Sequence, residues 1–172
     1  MSFDSSTWYS LNTTGSSLVS SNALYNGNGT LGSVYLNRTV DSVHYWQFFS
    51  MGSNQYILRS LALGPNATMQ SAAQPGKGTG VTIATGNITN ASLWSFTSWG
   101  TADGTYYLTN QANGTGLHLD TNPSPDEAGL IYMNPDISYS NQGQRWIVSS
   151  IGKVTQTAFS TVSGGDQPCF AK

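Results

Sequence analysis

The sequence predicts an all-β chain that folds three copies of one unit into a single domain, and three observations support this. No window of about a dozen residues carries the apolar spacing of an amphipathic helix without an interrupting glycine or proline. Short runs in which apolar and polar residues alternate recur instead, separated by clusters of turn-forming residues. Several landmarks also return in the same order three times along the chain.

Each copy opens with a strand-like pattern in which a tyrosine and a leucine flank one residue. The three openings are Tyr9-Ser10-Leu11, Tyr56-Ile57-Leu58 and Tyr106-Tyr107-Leu108. At the same distance from each opening tyrosine lies a triplet of apolar, polar and apolar residues: Val34-Tyr35-Leu36, Val81-Thr82-Ile83 and Ile131-Tyr132-Met133. One further apolar residue falls between these two landmarks in each copy, namely Leu18, Met69 or Leu119.

A tryptophan inside a short hydrophobic run closes each copy, at Trp46, Trp94 and Trp146. Four short strands per copy give twelve in all, which suits a closed barrel capped by hairpins because closure leaves no sheet edge exposed. We expect the large aromatic residues to pack in its core. The copies cover about residues 7–52, 53–102 and 103–150 of one domain, residues 1–150. Residues 151–172 are expected to form a final strand or a tail that links to further sequence.

Composition argues against several classes of protein. A chain of 172 residues has single-domain length and can bury a sizeable core. Only 8% of the residues are charged, with six Lys and Arg against eight Asp and Glu, so no basic surface is expected for nucleic acid. No apolar run approaches the length of a membrane span. Cys169 is the single cysteine, which excludes an intrachain disulfide and a cysteine-based metal site.

Seven of the fourteen asparagines lie in Asn-x-Ser/Thr sequons, the acceptor sites of N-linked glycans in secreted proteins. They are Asn12, Asn28, Asn37, Asn66, Asn87, Asn90 and Asn113. Serine and threonine content alone accounts for roughly three or four of them, so the excess is about twofold. We therefore expect a secreted or cell-surface protein. The first residues carry no signal peptide, so this holds if Met1 was added to a mature domain, whereas a native Met1 predicts a cytoplasmic protein.

Two motifs of the third copy carry a resemblance to a known family. The copy ends on Gln144-Arg145-Trp146, and its second strand reads Gly116-Leu117-His118-Leu119-Asp120. With these motifs and the three tryptophans in register, residues 7–150 resemble the ricin B-chain-like lectins, also called R-type or QxW domains. The glutamine position holds His44 in the first copy and Ser92 in the second. The resemblance implies a β-trefoil fold, and the Ser-, Thr-, Asn- and Gly-rich sequence without disulfides is similar to fungal members.

The resemblance also implies shallow sugar sites, up to one per copy. In the family a site takes a carboxylate from the second strand, a polar or aromatic pair from the third, and an amide just before the last tryptophan. The carboxylate position reads Val19, Gln70 and Asp120, so only the third copy keeps it. The implied partner is carbohydrate, bound at its non-reducing end by residues of the third copy: His118, Asp120, Tyr132, Asn134, Tyr139, Asn141 and Gln144.

The chemistry of a sugar explains these residue types. A carboxylate such as Asp120 accepts two vicinal hydroxyls, amides both donate and accept, and an aromatic face covers the apolar C–H patch of a pyranose. Because Asn134 stands where the family has its stacking aromatic, Tyr132 on the same strand face is expected to supply the ring. His118 alternates with two leucines and is expected to point to solvent beside the site. Asp120 as a turn cap and Gln144 as a partner of loop backbone groups are structural alternatives.

The sequence offers little material for catalysis. Glu127 is the only glutamate, and His44 and His118 lie in different copies without a nucleophile motif beside them. Neither a phosphate-binding loop nor a cluster of metal-binding histidines is present. Spacing does not exclude a glycosidase pair of Asp120 and Asp136, because the fold sets the separation of two carboxylates. We expect a binding protein without catalytic residues, cofactor or metal.

Two other functions stay open. The same fold serves protease inhibitors, whose exposed loop would here be the proline-rich residues 121–125. A glycosylated surface domain with decayed sugar sites fits the loss of the carboxylate from the first two copies. If the chain is a lectin, a single shallow site binds weakly, so avidity is expected from oligomerisation or from attachment to a larger chain. The sequence does not define the oligomeric state.

Overall fold

The computed structural model describes residues 2–14, 23–25, 31–37, 42–72, 79–100, 102–121 and 130–162. Thirteen strands lie within these residues: β1 Thr7–Thr13, β2 Ala23–Tyr25, β3 Gly32–Ser33, β4 Tyr35–Asn37, β5 Trp46–Gly52, β6 Gln55–Ser60, β7 Ala67–Ser71, β8 Thr79–Thr85, β9 Trp94–Ser98, β10 Tyr106–Asn110, β11 His118–Thr121, β12 Ile131–Asn134 and β13 Trp146–Lys153. Short 3₁₀ turns occur at Ser42–His44, Asn90–Ser92, Gln142–Gln144 and Thr157–Phe159. None of the described helices is long and apolar enough to cross a membrane.

Six strands form a closed antiparallel barrel. Around the barrel β1 pairs with β5, β5 with β6, β6 with β9, β9 with β10, β10 with β13, and β13 with β1. This ring confirms the closed barrel predicted from the strand pattern. The opening tyrosine of each copy pairs with the closing tryptophan of the same copy: Tyr9 with Trp46, Tyr56 with Trp94, and Tyr106 with Trp146. The repeated register gives the barrel pseudo-threefold symmetry.

The remaining strands build one hairpin for each copy. In these hairpins β2 pairs with β4, β7 with β8, and β11 with β12. The hairpins meet one another where β3 pairs with β8, where β8 pairs with β12, and at a bridge between Tyr35 and Leu130. A six-stranded barrel with three hairpins is the β-trefoil fold that the sequence predicted. The third strand of the first copy is divided at Val34 into β3 and β4, which gives thirteen strands instead of twelve.

Apolar landmarks of the three copies meet in one core. The side chains of Trp46, Trp94 and Trp146 are fully buried. The indole Nε1 of Trp94 donates to the carbonyl oxygen of Met69 (2.8 Å), and that of Trp146 donates to the carbonyl oxygen of Leu119 (3.0 Å). Each bond ties the last strand of a copy to its second strand and satisfies the polar edge of a buried ring. The prediction that the tryptophans pack in the core is confirmed.

The N-terminal segment closes one end of the barrel. The ring of Phe3 makes edge-to-face contacts with five rings, at centroid distances from 5.0 to 5.8 Å: Tyr9, Phe48, Tyr56, Phe96 and Tyr106. The backbone N–H of Phe3 donates to the hydroxyl of Tyr56 (3.2 Å), and that of Asp4 donates to the hydroxyl of Tyr9 (2.9 Å). Because the three tyrosines open the three copies, Phe3 lies close to the pseudo-threefold axis.

Candidate functional site

Asp120 is the centre of a hydrogen-bond network in the third copy. Its side chain is only 1% exposed. Oδ1 accepts the backbone N–H of Thr121 (2.7 Å). Oδ2 accepts three side-chain amides, from Asn134 (2.6 Å), Asn141 (2.7 Å) and Gln144 (3.0 Å). We call these four side chains the Asp120 network: Asp120, Asn134, Asn141 and Gln144.

The network fixes the loop between β12 and β13. Each of its three amides bonds to Asp120 at its nitrogen and also accepts a backbone N–H at its oxygen: Asn134 Oδ1 from Asp136 (2.8 Å), Asn141 Oδ1 from Gly143 (2.9 Å) and Gln144 Oε1 from Ser138 (3.2 Å). Gln144 Nε2 also donates to the carbonyl oxygen of Asp136 (2.9 Å). Gln144 therefore has the contacts of the structural alternative, in which it satisfies backbone groups of the preceding loop.

This geometry corrects the role that the resemblance implied for Asp120. A carboxylate oxygen that already accepts three donors, on a buried side chain, is not free to accept two vicinal sugar hydroxyls. Asp120 instead orients the amides and the loop around it. Its Oδ1 accepts the N–H of the next residue, Thr121, whereas the turn at Asn122-Pro123 that it was predicted to cap lies outside the described residues.

Gly143 explains how the loop comes so close to the carboxylate. A Cβ at this position would lie 2.3 Å from Asp120 Oδ1 and 2.8 Å from Thr121 Oγ1. A residue with a side chain does not fit at this position in this arrangement. Glycine thus permits the loop to pack directly on Asp120.

Gly143→Ala is expected to lower the free energy of unfolding by about 1–3 kcal/mol, because the added methyl overpacks the carboxylate. Chemical denaturation measures the change. Gly116→Ala is the matched control, since a Cβ there meets no heavy atom within 4 Å. Equal stability of the two variants would show that the loop does not pack on Asp120.

Four rings form an aromatic cluster beside the network: Trp99, Tyr107, His118 and Tyr139. The imidazole of His118 stacks on the ring of Tyr107, with centroids 4.3 Å apart and planes 9° apart. Trp99 contacts the other three rings at centroid distances of 4.9 to 5.6 Å. Its Nε1 donates to the carbonyl oxygen of Gln144 (3.3 Å), which joins the aromatic cluster to the Asp120 network.

Sequence reasoning did not single out Trp99 or Tyr107 for a site. Trp99 has no equivalent among the repeated landmarks, so the repeat pattern does not mark it. The available signal was that both residues lie close to the connection between β9 and β10, Trp99 directly after β9 and Tyr107 near the start of β10. Side chains at the ends of paired strands lie close together, and they meet here beside β11.

The expectation that His118 points to solvent is wrong. The side chain is 4% exposed, because Tyr107 and Trp99 cover it, and its Nδ1 has no hydrogen-bond partner among the described residues. Burial lowers the pKa of His118 below its usual value of 6.5, while the negative charge of Asp120 acts in the opposite direction. His118 is therefore neutral at pH 7.

We expect the free energy of unfolding to fall as the pH decreases below about 6.5. The unfolded chain protonates His118 near pH 6.5, and the folded protein does so only at lower pH, so the unfolded state binds more protons in this window. Above pH 6.5 the contribution is complete. Denaturant titrations across this range measure it in the parent protein and in His118→Gln. An identical pH dependence in both would assign the effect to other groups.

Tyr139 presents an exposed ring that is held in place. The side chain is 40% exposed. Its hydroxyl donates to Asp103 Oδ2 (2.8 Å), and the guanidinium of Arg145 lies 4.6 Å from its ring centroid. Arg145 also donates to Asp103 and forms an ion pair with it. With Trp99 against its edge, the ring is preorganised on the surface beside the Asp120 network.

The structure brings the seven residues of the predicted sugar site together in the third copy, with His118, Asp120 and Gln144 buried. Asp120, Asn134, Asn141 and Gln144 form the network, and Asn134 Nδ2 also lies 3.3 Å from the hydroxyl of Tyr132. His118 and Tyr139 belong to the aromatic cluster. We call the network, the cluster and the loop residues 135–143 the third-lobe site.

The second copy carries different residues at the positions of the Asp120 network. In register with Asp120, Asn134 and Gln144 it carries Gln70, Ala84 and Ser92. Gln70 Nε2 donates to Thr68 Oγ1 (3.1 Å). In the first copy the corresponding position, Val19, lies outside the described residues.

Other predicted features also lie outside the described residues. These are the sequon at Asn28, most of the candidate inhibitory loop at residues 121–125, and Cys169. Among the residues that the structure describes, no group of three or more His, Cys, Asp or Glu side chains is arranged to hold a metal ion. Asp136 is exposed while Asp120 is buried in its network, so the two carboxylates differ in their access to a ligand.

The fold is shared with solved β-trefoil proteins. No protein-family model and no curated protein sequence matches the chain. The designed threefold-symmetric protein ThreeFoil matches with a TM-score of 0.70 and 19% identity, over 86% of this chain and 100% of its own. The ricin B-like lectin of Macrolepiota procera, solved in complex with lactose, matches with a TM-score of 0.65 and 13% identity, over 86% of this chain and 98% of its own.

A lectin of Polyporus squamosus, bound to Neu5Acα2-6Galβ1-4GlcNAc, matches with a TM-score of 0.65 and 15% identity. The match covers 87% of this chain and 50% of that one, so this chain spans about half the length of that lectin. These similarities show that the chain has the β-trefoil fold and that ricin B-like lectins share it.

Proposed function

We propose that this protein is a non-enzymatic carbohydrate-binding module that binds sugars reversibly at the third-lobe site. The observation that carries the proposal is the exposed, rigidly held ring of Tyr139 beside the buried Asp120 network. Sugar recognition needs an aromatic face and fixed hydrogen-bonding groups, and both are preorganised on this surface. The sugars bound by the Macrolepiota and Polyporus lectins of the same fold support the proposal.

Outward-facing groups of the loop take the hydrogen bonds to the sugar hydroxyls. Asp136 is exposed, and its backbone N–H and carbonyl are both bonded to amides of the network, which fixes the position from which its carboxylate projects. Asn141 Nδ2 uses one N–H toward Asp120 and makes no other hydrogen bond among the described residues. We assign hydroxyl recognition to Asp136 and Asn141. Asp120 acts through them, by holding the loop.

Tyr139, with the edge of Trp99, supplies the apolar surface for a pyranose. This replaces the predicted stacking on Tyr132, which is only half-exposed on its strand. Because Tyr139 is fixed before the ligand arrives, little side-chain entropy is lost on binding.

A glycan array followed by titration calorimetry tests the proposal. The parent protein should bind at least one glycan, and Tyr139→Ala should weaken that binding by about tenfold through the loss of stacking. Asp136→Asn should weaken it as well, while Thr82→Ala, the second-lobe equivalent of Tyr132, should leave it unchanged. No binding of any glycan at millimolar concentration would overturn the proposal and favour a surface domain with decayed sites.

A secreted or cell-surface location, with N-linked glycans, is part of the same proposal, as is a fungal source. Asn66, Asn87 and Asn90 are exposed, so each can carry a glycan without disturbing the fold. Asn113 differs, because its Nδ2 donates to Ser71 Oγ (3.0 Å) and also lies 3.3 Å from Asn110 Oδ1. A glycan on that nitrogen would break both contacts.

Expression through a eukaryotic secretory pathway should therefore give glycans at Asn66, Asn87 and Asn90 and none at Asn113. Peptide mass spectrometry before and after enzymatic deglycosylation reads the occupancy of each site. Full occupancy at Asn113, or none at the three exposed sequons of a secreted product, would contradict this assignment.

A further inference from the structure

A pocket lies away from the third-lobe site, between the N-terminal segment, β5 and the chain that follows β13. Its volume is about 380 Å³. We call residues 154–161 the C-terminal strap. The pocket is lined by Ser5, Ser6, Gln47, Phe49, Val154, Thr155, Gln156, Thr157, Phe159 and Ser160. None of these residues belongs to the third-lobe site.

A buried arginine anchors the strap that forms one wall. Arg59 is fully buried, and its guanidinium donates to carbonyl oxygens of the strap: Nη1 to Thr161 (2.7 Å) and Nη2 to Phe159 (2.6 Å). Burial lowers the pKa of Arg59 to about 10. The same guanidinium lies 4.6 Å from the ring centroid of Phe49 and 5.4 Å from that of Phe159. The guanidinium of Arg59 thus holds the two rings of the pocket lining, Phe49 and Phe159, in place.

Gln47 links the N-terminal segment and the C-terminal strap to Arg59. Its Oε1 accepts Arg59 Nε (2.9 Å), and its Nε2 donates to the carbonyl oxygens of Ser5 (2.6 Å) and Phe159 (3.1 Å). The ring of Trp8 packs edge-on against Phe159 at 4.9 Å. Three segments that are distant in sequence therefore meet at the pocket with fixed geometry.

The lining defines the chemistry of a ligand. None of the ten side chains is charged: three are apolar, and the other seven are serines, threonines and glutamines. Hydroxyls and amides both donate and accept hydrogen bonds, and a phenyl ring covers C–H groups. A volume of about 380 Å³ lies at the lower end of the range for small-molecule sites.

We propose that this pocket is a second ligand site, which takes one neutral sugar unit independently of the third-lobe site. The C–H face of the sugar packs on the half-buried ring of Phe49, and its hydroxyls bond to Gln156 and Thr157. Gln156 Oε1 accepts the N–H of Thr155 (3.3 Å), while its Nε2 makes no hydrogen bond within the part of the chain that the structure describes. A neutral sugar is favoured over a charged one because none of the lining side chains is charged.

Backbone-amide NMR titration of the Tyr139→Ala protein tests this inference. The probes are galactose, mannose and N-acetylglucosamine as neutral sugars, and N-acetylneuraminic acid as the charged comparison. At millimolar concentration at least one neutral sugar should shift the amides of residues 154–160, and N-acetylneuraminic acid should not. Thr157→Trp, which fills the pocket, should abolish the shifts, and Thr85→Trp, at an exposed position on β8, should not.

Three outcomes would overturn the inference: no shift in residues 154–160 with any neutral sugar, shifts that persist in a folded Thr157→Trp protein, or equal shifts with the charged sugar. Gln156→Ala provides a milder variant if Thr157→Trp does not fold, and it should weaken binding severalfold. Shifts at residues 134–144 report on the third-lobe site in the parent protein. Failure of one site is therefore distinguishable from failure of the other.

Discussion

Asp120→Ala is expected to lower the free energy of unfolding by about 4 kcal/mol and to abolish sugar binding at the third-lobe site. The substitution removes the acceptor of four donors in a buried position, the N–H of Thr121 and the amides of Asn134, Asn141 and Gln144. The three amides then lose the group that orients them, and the loop that carries Tyr139 and Asp136 loses its anchor. Chemical denaturation and glycan titration measure the two effects.

A graded series separates the contribution of charge from that of shape. Asp120→Asn keeps the volume and one acceptor oxygen but turns an NH₂ toward other donors, so its effect should lie between those of the parent and the alanine variant. Gln70→Ala, at the equivalent position of the second lobe, should change stability by about 0.5 kcal/mol or less. If Asp120→Ala retains both stability and sugar affinity, the network does not organise the site.

Phe3→Ala is expected to lower the free energy of unfolding by about 3 kcal/mol. The half-buried ring contacts five aromatic side chains at the end of the barrel, and its removal exposes those rings, because side chains fixed on barrel strands cannot close the gap. The backbone bonds of residues 3 and 4 to Tyr56 and Tyr9 are expected to weaken as well, because Phe3 no longer anchors the segment.

Two further variants are compared with Phe3→Ala by denaturant unfolding, which measures the free energy of unfolding of each. Phe3→Leu should recover part of the loss, since it refills some of the volume. Ile151→Ala removes an exposed apolar side chain from β13 and should cost about 0.5 kcal/mol or less. A loss below about 1 kcal/mol for Phe3→Ala would show that the N-terminal segment does not close the barrel.

The fold was predictable from the sequence because each copy buries the same kinds of residue at the same points. The pairing of Tyr9 with Trp46, repeated in the other two copies, is the structural form of that pattern. The missing carboxylate of the second copy was also readable, since Gln70 occupies that position. The alternation of apolar and polar residues does not show where a strand is interrupted. The division of the third strand of the first copy at Val34 was therefore not predicted.

The details of the site were not predictable, because they depend on contacts between residues that the threefold sequence pattern does not relate to one another. His118 alternates with leucines as an outward residue does, yet Tyr107 and Trp99 from the neighbouring strands cover it. The burial of Asp120 follows from Gly143, whose lack of a Cβ admits the loop, and a single glycine does not reveal which side chain packs on it. Phe3 and Arg59 act through partners that are distant in sequence, so local patterns did not mark them.

A crystal structure of the protein with an oligosaccharide selected on the glycan array tests the third-lobe assignment most directly. We expect a pyranose packed on the ring of Tyr139, with hydroxyls bonded to Asp136 and Asn141 and with Asp120 still bonded to its three amides. A sugar seated at the second-lobe position around Gln70, with the third-lobe site unchanged from its ligand-free geometry, would contradict the account.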